Sequence, residues 1–127
     1  MNNVSYSAVV LDETSRQRLI DKFKNLIPEG WEVIAHHSTI KMGALDLNDK
    51  LSINEEITLT VSDYAIDDKV MAVGVTGFQS YNSKPHITIA VNRQEGGKPM
   101  MSNKLTNWKR IRIPLIIRGK VTQVEYN

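Results

Sequence analysis

Apolar and polar positions along the chain switch between two periods. Tyr6 to Leu11 (Tyr-Ser-Ala-Val-Val-Leu) ends in a continuous apolar run, which predicts a buried first strand. Asp12-Glu13-Thr14 then opens a helix, and Thr14 followed by Gln17 has the spacing of a capping box. Leu19, Ile20, Phe23, Leu26 and Ile27 form one apolar stripe at helical spacing, and Pro28-Glu29-Gly30 ends it. Trp31 to Met42 predicts a second strand, with Ala35, His37, Thr39 and Lys41 on one face and Ile34, His36, Ser38, Ile40 and Met42 on the other. Strand, helix and strand in close succession predict a βαβ-like unit with the helix covering one face of a sheet.

Beyond a polar, turn-rich stretch from Gly43 to Asn54, Ile57 to Ser62 alternates cleanly and predicts a half-buried strand. Asp63 to Lys69 reads as a turn, and Val70 to Phe78 as the partner strand, with Gly74 and Gly77 marking a bulge or a close backbone approach. Gln79 to Lys84 is a loop, and Pro85 precedes a strand over His86 to Val91. Arg93 to Met101 is a flexible turn, and Ser102-Asn103-Lys104-Leu105 predicts a short helix with a serine cap. Arg112 to Tyr126 predicts one long strand, or two joined at Arg118-Gly119, with Pro114 at an edge or a bulge. The expected fold class is α+β: about seven strands in two-lobed, pseudo-symmetric antiparallel sheets, with one long and one short helix. Residues 1–127 are expected to form a single domain.

Composition narrows the function classes. The chain has no cysteine, which excludes disulfides and thiolate metal sites and fits a cytoplasmic protein. It lacks an apolar run long enough for a membrane span, and the segment after Met1 has no signal-peptide pattern. The net charge is only +2, but Lys98, Lys104, Lys109, Arg110, Arg112, Arg118 and Lys120 crowd the last third. Such a distribution suits a phosphate-bearing ligand and equally describes a solvated basic face.

Against this background the histidines stand out. There are three, and two of them begin the same four-residue pattern, 86 − 37 = 49 positions apart: His37-Ser38-Thr39-Ile40 and His86-Ile87-Thr88-Ile89. In a strand, His37 shares a face with Thr39, and His86 with Thr88. Either histidine alone reads as an ordinary strand residue, whereas the matched pair points to a site. A zinc site is the second alternative. His36 is expected on the face opposite His37, which leaves two imidazoles and no ligand pattern to complete a set. Two imidazoles with two hydroxyls suit phosphodiester chemistry. In-line displacement at phosphorus takes a base on one side and an acid on the other. Histidine serves both roles near neutral pH, and hydroxyls can donate to the non-bridging oxygens.

These two motifs resemble the 2H phosphoesterase superfamily, which carries paired His-x-[Ser/Thr]-hydrophobic motifs on facing strands of a two-lobed fold. The order of elements is similar as well. Trp31-Glu32-Val33-Ile34-Ala35-His36-His37, Ser102-Asn103 and Gly119-Lys120-Val121 look like the short single-domain forms related to RNA repair and tRNA ligase modules. Some phage members of the superfamily destroy cyclic oligonucleotide signals. The resemblance implies metal-independent cleavage of a phosphodiester, with no cofactor and no metal. The substrate class would be an RNA 2′,3′-cyclic phosphate end, a cyclic nucleotide or a cyclic oligonucleotide. His37 and His86 are then the acid–base pair, and Thr39 and Thr88 hold the phosphate.

Lys41 is a further candidate phosphate contact, and Tyr6, Tyr81 and Trp108 are candidates for stacking on a base. The expected partner is a nucleotide or an RNA end and no membrane, and the sequence carries no signal for an oligomeric state. The expected location is the cytoplasm, of a bacterium or of the host cell if the chain is phage-encoded. The rival reading is a non-catalytic nucleotide- or RNA-binding module that keeps the phosphate pocket. A regulatory protein with an inert cleft is the third.

Overall fold

Alternating sequence becomes seven antiparallel strands and one main helix in the computed structural model, which describes residues 3–125. In chain order they are β1 (Val4–Leu11), α1 (Glu13–Phe23), β2 (Glu32–Val33), β3 (His37–Met42), β4 (Glu56–Ile66), β5 (Val70–Thr76), β6 (His86–Val91) and β7 (Lys109–Glu125). Short 3-10 turns lie at Leu47–Asp49, Arg93–Glu95 and Pro99–Lys104. The strand order is β2-β6-β3-β1-β7-β4-β5, and β5 also pairs with β6, so six strands close into a ring. That ring has two matching halves, β3-β1-β7 and β6-β5-β4, each beginning with a motif strand. They join at β3 against β6 and at β7 against β4. Fold class, strand number and pseudo-symmetry therefore agree with the sequence pattern.

Inward-facing Val9, Ile40, Leu59, Val73, Ile87 and Ile117 are fully buried in one core with Leu19 and Phe23 of α1. Burying each such side chain contributes roughly 1.5–3 kcal/mol. The helix is tied to β7, since Arg18 Nη1 donates to the Ile116 carbonyl at 2.8 Å and the Arg118 N–H donates to Ser15 Oγ at 2.8 Å. Among the described residues, no helix is long and apolar enough to cross a membrane.

Several local expectations change. The helix cap is Asp12, whose carboxylate accepts from the Ser15 N–H at 2.7 Å; Thr14 lies inside the first turn. An ionised acceptor in extended backbone just before the helix outcompetes the hydroxyl two residues on. Strands β1 and β3 run antiparallel, so no parallel βαβ unit forms. Helix and connection make an excursion that returns to the end of β1 it left, where the Leu11 N–H donates to the His36 carbonyl at 3.0 Å. The expected strand over Trp31 to Met42 breaks in two around Ala35: β2 pairs with β6, and β3 pairs with β1 while returning to β6 at Ser38 and Ile87. Between them Ala35 takes a φ of 44°.

Strand β4 runs on to Ile66, since Asp63 and Tyr64 pair with Gly74 and Val73 of β5. The turn shrinks to residues capped by Asp67, whose side chain accepts from the N–H groups of Lys69 and Val70. Ser102 does not cap its helix. Lys98 and Pro99 open that turn, and Ser102 is buried within it. Strand β7 is continuous across Gly119, and its register with β4 shifts around Pro114, as a bulge there requires. Tyr126 lies outside the described residues.

Candidate active site

The join between the two halves brings the motifs together. Ser38 of β3 pairs with Ile87 of β6, and both side chains are fully buried on the core face. In antiparallel register, the residues flanking such a pair share the opposite face. His37, Thr39, His86 and Thr88 accordingly line one cleft of ≈ 420 Å³. Tyr6, Asn82, Met42 and Met100 complete much of its wall, the two methionines being largely exposed at its rim.

His86 is held from below. Its Nδ1 lies 2.8 Å from the Lys84 carbonyl, which can only accept, so Nδ1 carries the hydrogen and Nε2 is left free. Lys84 is itself fixed: its Nζ is 2.6 Å from Asp63 Oδ2 and 4.7 Å from the centre of the Trp108 ring. That carboxylate sits where only glycine leaves room, since a Cβ at Gly74 would lie 1.9 Å from Asp63 Oδ1. Trp108 donates from Nε1 to the Leu105 carbonyl at 3.2 Å. It lines a second cleft of ≈ 320 Å³ with Tyr81 and Lys84. The two clefts share Asn82, His86 and Asn103, so His86 stands on the wall between them. Thr88 Oγ1 is 2.8 Å from Ser102 Oγ and donates to the Pro99 carbonyl at 3.3 Å.

His37 has different surroundings. Tyr6 stacks on its ring with centroids 4.9 Å apart, and burial pushes the Tyr6 phenol up. Burial, reinforced by positive charge on His36 and on His86, lowers the His37 pKa from 6.5 to about 4. At neutral pH this imidazole is uncharged. His36 does not face away as strand alternation predicts, because the break at Ala35 turns it. Its Nδ1 lies 2.9 Å from His37 Nδ1, with the rings edge to face.

The remaining candidates separate. Tyr6 and Trp108 line the clefts, and so does Tyr81. Lys41 is engaged elsewhere, 2.9 Å from Asp49 and 3.4 Å from Asp46, with its ammonium over the Tyr81 ring. Asp49 is buried and also accepts from Tyr81 Oη at 2.6 Å and from the Asp46 N–H at 2.7 Å. The Tyr81 hydrogen bond, with those from Asp46 and Lys41, holds its carboxyl at about 2. This network ties the loop after β3 to the loop that carries Asn82 into the cleft. The basic residues Lys109, Arg110, Arg112, Arg118 and Lys120 of β7 are exposed, and none of them lines either cleft.

Sequence reasoning missed His36, Asn82, Ser102 and Asn103. The adjacent histidines were visible, but not the backbone reversal that joins their rings. Ser102 reaches Thr88 across 14 positions, for which no pattern exists. Among the described residues, no three His, Asp or Glu side chains cluster so as to hold a metal ion.

No curated protein and no solved structure matches the chain. One family model does, the fungal tRNA ligase phosphodiesterase domain, over residues 15–119 and hence both motifs. With that match spanning most of its length and including both paired-histidine motifs, the chain belongs to the fungal tRNA ligase phosphodiesterase domain family.

Proposed function

We propose that this protein is a metal-independent, 2H-type phosphodiesterase acting on a small or terminal nucleotide phosphodiester, foremost a 2′,3′-cyclic phosphate. The observation that supports this reading most directly is the Ser38–Ile87 pair, around which two imidazoles and two hydroxyls line a single cleft. His37, uncharged at neutral pH, takes a proton from water through Nε2. The water oxygen bonds to phosphorus as the bond to the leaving ribose oxygen breaks. His86 enters protonated and gives its Nε2 proton to that oxygen, while its Nδ1–H stays on the Lys84 carbonyl. Thr39 donates to one non-bridging oxygen as charge shifts onto it, and Thr88 to another once its hydroxyl turns from the Pro99 carbonyl to the substrate. The cycle ends with His37 protonated and His86 neutral, and exchange with solvent resets both.

The experiment is turnover of a 2′,3′-cyclic nucleotide and a panel of cyclic dinucleotides by the wild type and by His37→Ala and His86→Ala, each with and without a chelator. Loss of a general acid or base costs roughly 10²–10⁴-fold. Unchanged turnover in either variant refutes the assignment, and loss of turnover on chelation refutes metal independence. Nucleotide binding with no turnover anywhere on the panel favours a binding module.

A further inference from the structure

Ala35 is fully buried and left-handed, with a φ of 44°. A residue with a Cβ avoids this region, and where one is held there it is commonly at a functional site. Here the conformation has a definite result. The Ala35 N–H donates to the Thr88 carbonyl, and three residues later Ser38 pairs with Ile87. Three positions of one strand are thus spent against one position of β6, and the two surplus residues are His36 and His37. Bulges of this kind re-aim side chains. This one places the Nδ1 atoms of adjacent histidines 2.9 Å apart, a contact that regular alternation forbids.

Two ring nitrogens at that distance share one hydrogen, and which ring supplies it decides what the other nitrogen can do. His86 has no such choice, since its Nδ1 faces a carbonyl. His37 does. With neutral His36 accepting, His37 carries its hydrogen on Nδ1 and offers a bare Nε2 to the cleft. With protonated His36 donating, His37 must accept at Nδ1 and carries its hydrogen on Nε2, where it cannot take a proton from water. We propose that His36 is a positioning residue that sets the tautomer of His37, and that protonation of His36 switches the base off. This rests on His37 being the base in the reaction proposed above.

The groups facing the pair are consistent with a local switch. Tyr6 of β1 covers the His37 ring, and His86 of β6 lies across the cleft. On the helix side, Arg16 donates to the Ile34 carbonyl at 3.2 Å and lies 3.9 Å from Glu13. His36 itself is exposed and open to solvent protons. Burial keeps His37 itself uncharged down to about pH 4.

Nitrogen-15 spectra of the wild type across pH read the tautomer directly. The expected result is hydrogen on His37 Nδ1 at neutral pH, moving to Nε2 as His36 protonates. In His36→Gln, an amide oxygen accepts and nothing titrates. Its kcat/KM plateau should stay within a few-fold of the wild type, while the acid limb moves at least one pH unit lower. In His36→Arg, a permanent donor, kcat/KM should fall at least tenfold throughout. Hydrogen on His37 Nε2 at neutral pH, an unmoved acid limb in His36→Gln, or full activity in His36→Arg each overturns the proposal. Should the wild type turn over no phosphodiester, the proposed reaction fails while the spectra still decide the role of His36.

Discussion

Replacing His37 by glutamine should make the protein more resistant to mild acid, for a reason that can be sized from its burial. The folded protein holds this imidazole neutral down to about pH 4, whereas the unfolded chain protonates it near 6.5. Between those values the unfolded state binds more protons, so stability is complete above pH 6.5 and declines as the pH falls toward 4. Each pH unit in that window costs up to about 1.4 kcal/mol, so the loss by pH 5 is about 2 kcal/mol. With urea m-values typical of small proteins, that is a midpoint shift of about 1 M. Asp49, held at about 2, contributes in a lower window: its stabilisation is lost as the pH falls below the ordinary carboxylate value of 3.8. Comparing pH 7.5 with pH 5 therefore isolates the histidine contribution. The assay is urea unfolding of the wild type and His37→Gln at both pH values. The wild type should lose about 2 kcal/mol more than the variant. Equal losses would refute the claim that burial keeps His37 neutral.

Gly74→Ala should cost about 1–3 kcal/mol by overpacking, and turnover should fall with it, because Asp63 must leave Lys84, whose carbonyl holds His86. An unchanged urea midpoint would show that the Asp63–Lys84 tie is not rigid. Ser102→Ala removes the hydroxyl 2.8 Å from Thr88 and should cost about 1–2 kcal/mol with a drop in kcat, whereas unchanged kcat would detach Ser102 from the site. Tyr81→Phe should raise the Asp49 carboxyl from about 2, since the phenol is the largest cause of its depression. A carbon-13 titration reads this, and an unmoved curve rejects the network.

The alternating strands, the apolar stripe of the helix and the paired motifs were legible because each is a local pattern with a fixed period. Less legible were the features set by partners distant in sequence. Nothing in Trp31 to Met42 announces that the segment lies along β6 with an irregularity at Ala35 and takes β1 on its other edge only from His37 on, yet that irregularity brings in His36. Lys41 follows Thr39 on the expected face, but Asp49, buried eight positions on, takes its charge. Asp63 looked like a turn residue because its type favours turns; it lies in a strand because Gly74 of β5 and Arg110 of β7 pair with it on either side.

The ring that joins β3 to β6 also has a kinetic meaning. Loop-closure entropy makes contacts between distant segments late and slow to form. Here the cleft lies on such a contact, and neither half, β3-β1-β7 or β6-β5-β4, contains both histidines. During refolding, catalytic competence should therefore emerge only once β3 has paired with β6, after helix α1 and the β4–β5 hairpin have formed. Turnover thus becomes a clock for that one pairing, and no intermediate that lacks it can cut.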